Sequence, residues 1–296
     1  MNTVGQSMME AWYPKKRNCA FCGRYWHGTK LTAGLCPRCL LDWESLRLTA
    51  EICPVCGSFD SGDPCQGPCA DKSGDTTDGI GSLNAIYAAA PYTGRYRQKI
   101  MSFKYNGERH LYAPLGLLMA NTWRRGEQTR SGQTHDKSLE ESMQTLGVLI
   151  PRRKATGTRT RWASEKAAPY LVPVPIHPDK EKQRGYNQSR LLAEAVSRET
   201  GFPIKELLVR SRTGQMQAGL DKFHRKTALD QVFHWNNAVT AEPGPAILVD
   251  DVVTTGATLE SCGQILRENG IGPIWGLTFG GGSGQAMHQK ATHSDV

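Results

Sequence analysis

The chain of 296 residues has no apolar run approaching the roughly 18 residues that a membrane-spanning helix requires. No apolar stretch follows the charges near its N-terminus, so we also expect no secretory leader. These absences argue against membrane insertion, and we expect a soluble, cytoplasmic protein. A length of 296 residues is sufficient for one sizeable core and a small additional domain.

Hydrophobic periodicity is weak between residues 122 and 168, a stretch rich in Gly, Thr, Ser and charged residues. It contains 10 Lys/Arg and 5 Asp/Glu, so it supplies +5 of the net charge of +8. We interpret 122–168 as a flexible insertion with a short helix around 139–146. Its basic clusters either contact nucleic acid or belong to a solvated loop. The glycine-rich tail, 281–296, is predicted to be disordered.

Cysteine is nearly absent after position 69: eight of the nine cysteines lie between positions 19 and 69, and only Cys262 lies beyond. Two C-x2-C pairs separated by 13 residues are followed by a third C-x2-C pair and a C-x3-C pair. In a cytosolic chain this spacing indicates zinc more often than disulfides or redox chemistry, because paired thiolates can surround Zn²⁺ tetrahedrally. The predicted ligands are Cys19, Cys22, Cys36 and Cys39 for one ion, and Cys53, Cys56, Cys65 and Cys69 for a second.

The cysteine-rich segment contains few apolar residues. A hydrophobic core alone cannot hold such a segment, so one or two structural zinc ions are expected to supply its folding free energy. Gly23 and Gly57 each follow a C-x2-C pair directly and suit the tight backbone turn there. We therefore divide the chain into a cysteine-rich zinc-binding domain, 1–80, and a larger domain, 81–280.

The segment AILVDDVVTTGATLESC, residues 246–262, joins an apolar run, two adjacent aspartates and a turn of small residues. The run 246–249 does not alternate with polar residues, which predicts a strand buried on both faces. A helix is predicted after Ala257, with Gly270 as its C-terminal stop. Neither the Gly-Lys-Ser/Thr of a Walker loop nor a G-x-G-x-x-G turn is present there. The apolar residues on one face of this helix are Leu259, Cys262 and Leu266.

A strand, a small-residue turn and a helix start form a common phosphate-binding arrangement, because the first N–H groups of a helix lack partners within it. The helix dipole also favours an anion there. Asp250 and Asp251 suit the vicinal hydroxyls of a sugar, so the combination indicates a ribose 5-phosphate. The alternative is a parallel-sheet strand entering a capped helix, with two surface aspartates. The residues predicted to hold the phosphate are Thr254, Thr255, Gly256, Ala257 and Thr258.

Two further segments bear on the function. Residues 170–172 are predicted to form a strand that Pro173 and Pro175 end or confine to a sheet edge. The basic, glycine-containing loop that follows suits a second anionic group, and a helix is predicted from about Asn187. Residues 95–104 are predicted to be helical, with basic residues interleaved among aromatic ones, as in a single-stranded nucleic-acid groove. The simpler interpretation of the aromatic stripe is a core face, formed by Tyr96, Ile100 and Phe103.

Segment 246–262 resembles the phosphoribosyl pyrophosphate (PRPP) motif of type I phosphoribosyltransferases. Other motifs recur along the chain: FKYNG (103–107), VPVP (172–175), RGYNQS (184–189), QAGL (217–220) with Arg225, and ILVDDVVTTGATL (247–259). With the cysteine clusters, these motifs make the chain as a whole similar to the ComF (GntX-like) family of bacterial natural competence and DNA utilisation. Two departures from the family are the insertion at 122–168 and Ala228, where family members carry asparagine.

The resemblance implies an α/β fold like that of type I phosphoribosyltransferases: a parallel sheet flanked by helices, with the ligand at the C-terminal strand ends. A small N-terminal zinc-ribbon domain precedes it. PRPP or a related ribose phosphate would be held with Mg²⁺ by Asp250, Asp251 and the phosphate turn. The residues expected to contact pyrophosphate are Pro173, Val174 and Arg184.

Three functions stay open at this point. The first is a protein of DNA uptake that binds PRPP or a related ligand. It would contact single-stranded DNA weakly, or competence and DNA-processing proteins, through the zinc domain. The second is an active phosphoribosyltransferase, in which fixed charges would stabilise an oxocarbenium-like state as pyrophosphate departs. The third is a ligand sensor without chemistry. No segment defines a nucleobase pocket, which places the second function below the first.

Overall fold

The computed structural model describes residues 18–26, 32–50, 52–53, 55–59, 81–130, 168–211 and 232–282. Several sequence-based predictions lie outside these residues. They concern Cys65 and Cys69, positions 131–167 of the insertion, the QAGL segment with Arg225 and Ala228, and the tail from 283.

A parallel sheet of four strands forms the centre of the structure. The strands are β1 (Ala85–Pro91), β2 (Tyr170–Pro173), β5 (Ala246–Val253) and β6 (Ile274–Gly281), in the spatial order β1–β6–β5–β2. Every residue of β6 is buried, and β5 is buried along its apolar half, because helices cover both faces of the sheet. Strand β2 lies at an edge, as its prolines predicted.

Helices on the two faces complete three layers and confirm the predicted α/β class. Helices α3 (Tyr112–Arg130) and α5 (Gln188–Thr200) pack on one face, and α6 (Ala257–Glu268) packs on the other. Helix α2 (Gly94–Tyr105) follows β1. A short antiparallel pair, β3 (Leu208–Arg210) and β4 (Phe233–Trp235), lies beside α6. The two predicted core faces are buried as expected: Tyr96, Ile100 and Phe103 on α2, and Leu259, Cys262 and Leu266 on α6.

Two local predictions need correction. Helix α3 continues to Arg130, inside the range predicted as a flexible insertion, because Trp123 is buried against the rings of Tyr87 and Trp275. The predicted loop after β2 contains a short helix, α4 (Pro178–Arg184), instead. Within the described residues, no helix combines the length and apolar character needed to cross a bilayer.

The cysteine-rich segment packs against the sheet at the edge strand β1. Its helix α1 (Pro37–Thr49) crosses that edge. The Trp43 indole donates to the Ala89 carbonyl at 2.8 Å, and the Arg47 guanidinium donates to the Ala88 carbonyl at 2.6 Å. Cys19, Cys36 and Cys39 belong to the hydrophobic core on one face of the sheet, whereas Cys22 is exposed. Cys53 and Cys56 belong to the core on the other face. The segment therefore shares its apolar packing with the larger domain.

Candidate functional site

Strand β5 carries the two adjacent aspartates to the C-terminal edge of the sheet. The strand continues to Val253, beyond the predicted end at Val249. Asp250 and Val252 are still in register with Thr278 and Gly280 of β6, so the ladder holds the aspartate backbone rigidly. The carboxylates thus lie at the end of a parallel sheet where ligands of such folds usually bind.

Asp251 is buried and paired with a lysine from another motif. Its Oδ1 lies 2.8 Å from Nζ of Lys104, and the two side chains are 6% and 17% exposed. Burial acts to lower the pKa of Lys104, but the Asp251 carboxylate outweighs it and raises that pKa. The second oxygen of Asp251, Oδ2, is buried and has no hydrogen-bond partner among the described residues. This oxygen has unused capacity to hold a ligand or a cation.

Asp250 has a different environment from its neighbour. Its Oδ1 accepts hydrogen bonds from the Ser189 hydroxyl at 2.8 Å and from the Asp251 backbone N–H at 2.9 Å. Burial and the adjacent Asp251 charge nevertheless raise the pKa of Asp250 to about 7. A carboxyl with this pKa is poised to change its protonation state when a cation arrives.

The predicted phosphate turn follows β5 directly. Gly256 has φ of 76°, a left-handed conformation that favours glycine, and α6 begins at the next residue without a side-chain cap. Thr254, Thr255 and Ala257 are exposed. The N–H groups at the start of the 12-residue helix α6 therefore face an accessible turn with threonine hydroxyls.

The RGYNQS segment connects the parts of the site to one another. The Tyr186 hydroxyl donates to the Phe103 carbonyl, and the Asn187 side-chain amide donates to the Val174 carbonyl at 3.2 Å. Ser189 then contacts Asp250, as described above. Val174 is buried, and its N–H donates to the Val249 carbonyl at 3.0 Å. Three motifs that are distant in sequence therefore meet at one sheet edge.

The predicted pyrophosphate residues occupy different positions at this edge. Pro173 ends β2 and pairs with Val249, and Val174 continues alongside β5. Arg184, at the end of α4, places its guanidinium carbon 4.8 Å from the ring centroid of Tyr105. The structure thus brings Pro173 and Val174 close to the aspartate strand, whereas Arg184 lies on an aromatic ring.

Sequence reasoning missed two site residues, Lys104 and Ser189. Lys104 belongs to the basic residues of 95–104, which the sequence offers as a nucleic-acid contact. Its position four residues after the buried Ile100, on the same helix face, is the signal for a partly buried side chain. Ser189 belongs to the RGYNQS motif, but a serine in the first turn of a helix is ordinary, so its bond to Asp250 could not be inferred.

The first two cysteine pairs form a candidate metal centre. The four Sγ atoms of Cys19, Cys22, Cys36 and Cys39 all lie within 4.8 Å of one another, and those of Cys22 and Cys36 are 3.9 Å apart. Four sulfurs at about 2.3 Å from one Zn²⁺ would be separated by about 3.8 Å in a tetrahedron. The donor set therefore fits a structural zinc ion.

Thiolate stabilisation differs among the four cysteines. Burial acts to raise the pKa of Cys19, but hydrogen bonds from surrounding backbone N–H groups outweigh it and lower that pKa to about 7. The N–H of Cys36 contacts the Cys19 sulfur at 3.4 Å. Burial raises the pKa of Cys36 and of Cys39. A cation is what would keep all four sulfurs ionised together.

The third cysteine pair repeats the backbone turn of the first. In each, the N–H of a glycine donates to the carbonyl of the first cysteine: Gly23 to Cys19 at 2.8 Å, and Gly57 to Cys53 at 3.0 Å. Both glycines have positive φ, 71° and 68°. Their role in the predicted tight turns is confirmed. Cys53 and Cys56 therefore share the local backbone geometry of the first pair, and their predicted partners Cys65 and Cys69 lie outside the described residues.

Comparison with known proteins supports a single family. No protein-family model matches the chain. Over 113 residues it is 35% identical to "Competence protein F" of Haemophilus influenzae, covering 36% of this chain and 48% of that protein. Over 149 residues it is 36% identical to "Competence protein ComFC" of Bacillus subtilis, covering 48% and 59% respectively. Over 105 residues it is 33% identical to "DNA utilization protein YhgH" of Escherichia coli, covering 35% and 45%.

The chain spans about half the length of the curated relatives that it matches. These relatives carry the competence and DNA-utilisation names expected from the sequence motifs, at 33–36% identity. Two motifs on which the family resemblance rests, the cysteine cluster and the strand that carries Asp250 and Asp251, are both present in the fold. These observations support the resemblance of the chain to ComF-family proteins.

Proposed function

We propose that the protein binds PRPP with Mg²⁺ at the sheet edge formed by Asp250, Asp251 and the turn 254–258. The observation that carries this proposal is the buried Oδ2 of Asp251, which has no hydrogen-bond partner among the described residues and lies on the strand that leads through the turn 254–256 into α6. An acceptor for sugar hydroxyls thus precedes a set of backbone donors for a phosphate. A ribose 5-phosphate carries both kinds of group.

Magnesium suits the oxygen donors at this edge. Mg²⁺ prefers carboxylate, phosphate and water oxygens, and Asp250 and Asp251 supply carboxylates close together. When bound, the ion would offset the charge of the pyrophosphate group. Lys104 already neutralises Asp251 at 2.8 Å, so we infer that it turns toward pyrophosphate or metal-bound water when Mg²⁺ binds. Pro173 and Val174 would line the pyrophosphate side through their backbone.

We infer a role in DNA uptake or utilisation, because relatives matched over about half their length are named for competence and DNA utilisation. Weak, salt-sensitive contact with single-stranded DNA and association with competence or DNA-processing proteins complete this proposal. Structural zinc in the cysteine segment would hold α1 against the edge of β1.

A second candidate is active transfer of ribose 5-phosphate to an acceptor. It is favoured by Asp250, whose pKa of about 7 suits a group that exchanges a proton near neutral pH. Assays of pyrophosphate release across free bases, nucleosides and single-stranded DNA would test it. Pyrophosphate release that exceeds the hydrolysis of PRPP when one acceptor is present would establish an enzyme. Binding of PRPP without pyrophosphate release would favour the ligand-sensing function.

The proposed binding is tested by thermal unfolding with PRPP and Mg²⁺. Ligand at 100 times its Kd should stabilise the native state by about 2.7 kcal/mol, a shift of several degrees. Asp251→Asn should remain folded and lose most of this shift. Asp179→Asn is the matched control, because its side chain lies near the same edge and is 83% exposed. A full shift in Asp251→Asn would contradict the proposal.

A further inference from the structure

Tyr105 is a large aromatic residue that the fold leaves in solvent beside the proposed ribose phosphate site. It is the last residue of α2, and its side chain is 63% exposed. The preceding residue, Lys104, is largely buried against Asp251. Within one residue the chain passes from the interior of the site to its surface. Tyr105 therefore lies on the rim of the site.

One face of the Tyr105 ring is covered by a cation. The guanidinium carbon of Arg184 lies 4.8 Å from the ring centroid, within the range of a cation–π contact. With 63% of the side chain still exposed, a second planar group has access to the ring. Arginine in this position also has spare N–H donors for a phosphate oxygen.

The Tyr105–Arg184 pair is supported by a rigid base. The Tyr186 hydroxyl donates to the carbonyl of Phe103, and their rings pack 5.7 Å apart. Arg109 lies 5.7 Å from the centroid of the Tyr186 ring. The two turns that carry Tyr105 and Arg184 are thus tied together before any ligand arrives. A preorganised surface of this kind loses little conformational entropy when it binds.

The exposed charge around the rim is slightly positive. Lys104 is paired with Asp251 and is left out of the count. The other charged residues of segments 103–110 and 178–184 are four basic and three acidic ones. The basic residues are Arg109, Lys180, Lys182 and Arg184, and the acidic ones are Glu108, Asp179 and Glu181. An excess of positive charge attracts a phosphate backbone without reading its sequence.

A second aromatic and basic surface is less favourable for nucleic acid. A cavity of about 720 Å³ beside the cysteine cluster is lined by Arg24, Tyr25, Arg38 and Arg95, among others. Asp42 also lines it and pairs with Arg95 at 3.1 Å. When zinc is bound, four thiolates exceed the charge of Zn²⁺ and leave the centre negative. The arginines there are therefore largely balanced by their own surroundings.

We propose that Tyr105, backed by Arg184, is the stacking surface for a base of single-stranded nucleic acid at the rim of the ribose phosphate site. That single-stranded nucleic acid is the partner rests on the proposed function. The inference adds that one of its bases binds beside Asp251 and Lys104 instead of at the cysteine cluster. Aromatic rings bind bases through their faces with little sequence preference, and Arg184 would contact the adjoining phosphate.

Fluorescence anisotropy with a labelled single-stranded dT12 at low salt tests this assignment. Tyr105→Ala should weaken dT12 binding about five- to tenfold, whereas Tyr105→Phe, which keeps the ring, should bind as the wild type does. An abasic 12-mer keeps the phosphates without the bases, and its weaker binding should be the same in wild type and Tyr105→Ala. Competition with thymidine separates recognition of a free base, in which thymidine displaces dT12, from recognition only within a strand, in which it does not. Either result supports stacking if Tyr105→Ala weakens the binding concerned.

Tyr25→Ala is the matched control, because Tyr25 is 52% exposed and lies near the other end of α2, a helix of 12 residues or about 18 Å. It should bind dT12 within twofold of the wild type. The PRPP·Mg²⁺ melting shift of the same preparations reports separately on the proposed function. The inference is overturned if wild type binds no dT12, if Tyr105→Ala binds it normally, or if Tyr25→Ala loses as much affinity.

Discussion

Lys104 Nζ lies 2.8 Å from Oδ1 of Asp251, and the pair joins the end of α2 to the end of β5. The pair gives the site an internal cation in the absence of Mg²⁺. Because only one carboxylate oxygen of Asp251 is engaged, the pair neutralises the site without filling it. A ligand that arrives with Mg²⁺ can therefore bind here, with Mg²⁺ taking the place of the Lys104 ammonium beside Asp251.

The first prediction concerns this pair. Lys104→Met should lower the free energy of unfolding by about 3 kcal/mol, because it leaves a buried carboxylate without its counterion. Adding Asp251→Asn to Lys104→Met should restore part of that loss, since the uncompensated charge is then removed. Urea unfolding of the wild type, both single variants and the double variant gives the coupling energy. Strictly additive effects would show that the contact is unimportant to stability.

The second prediction is a pH dependence. Asp250 has a pKa of about 7 in the folded protein, compared with about 3.9 in an unfolded chain. The folded state thus binds more protons between these values, so the Asp250 contribution to stability falls as the pH rises from about 4 to about 7. Asp250→Asn should remove this slope and be more stable than wild type at pH 8, by about 1–3 kcal/mol.

Urea unfolding of ligand-free protein at pH 5, 6, 7 and 8 measures this difference. Asp179→Asn, with a side chain that is 83% exposed, should follow the wild-type profile and serves as the control. Parallel stability profiles for wild type and Asp250→Asn would contradict the prediction, because they would mean that Asp250 has the same pKa in the folded and the unfolded protein.

The third prediction concerns metal removal. Purified, reduced protein should contain one or two zinc ions, and Cys19→Ser or Cys36→Ser should lose one of them. The loss should lower the melting temperature of the whole chain in a single transition, because the cysteine segment shares both cores with the sheet. Cys262→Ala is the control: this cysteine is buried on α6 and should leave the zinc content unchanged. Protein free of zinc after purification without chelator would reject the cluster.

The fourth prediction tests how α1 covers the edge of β1. Trp43→Phe keeps an aromatic ring but removes the N–H that donates to the Ala89 carbonyl at 2.8 Å. The free energy of unfolding should fall by about 1–2 kcal/mol. Trp26→Phe should cost less, because the Trp26 N–H has no hydrogen-bond partner among the described residues. Equal losses in urea unfolding would argue that the Trp43 bond adds nothing.

The fifth prediction concerns the insertion. Helix α3 is ordered to Arg130 and buries Trp123, so a deletion has to begin after Arg130. Replacing 133–165 with a short Gly-Ser linker should leave the melting temperature and the PRPP shift near wild type. Affinity for single-stranded DNA should fall only two- to threefold. Loss of DNA binding with PRPP binding intact would identify the insertion as the main nucleic-acid contact.

Several features were determined by local sequence. The strand and helix on either side of the turn 254–256 follow from an unbroken apolar run and from Leu259, Cys262 and Leu266 on one helical face. The metal centre follows from cysteine spacing, because two residues between thiols fit one turn of backbone around an ion. These predictions depend on contacts between near neighbours in the chain, which local patterns specify.

Tertiary structure alone decided how the motifs combine. Lys104 and Asp251 are far apart in the chain, and they meet because the parallel strands β1 and β5 have their C-terminal ends at the same edge of the sheet. The same arrangement places Arg184 on the Tyr105 ring and packs α1 against the edge of β1. No periodicity encodes such contacts, since they result from the order of strands and the burial of whole faces. Local patterns therefore specify the segments that make up the site, and the packing of the sheet specifies which charged groups and aromatic rings come into contact.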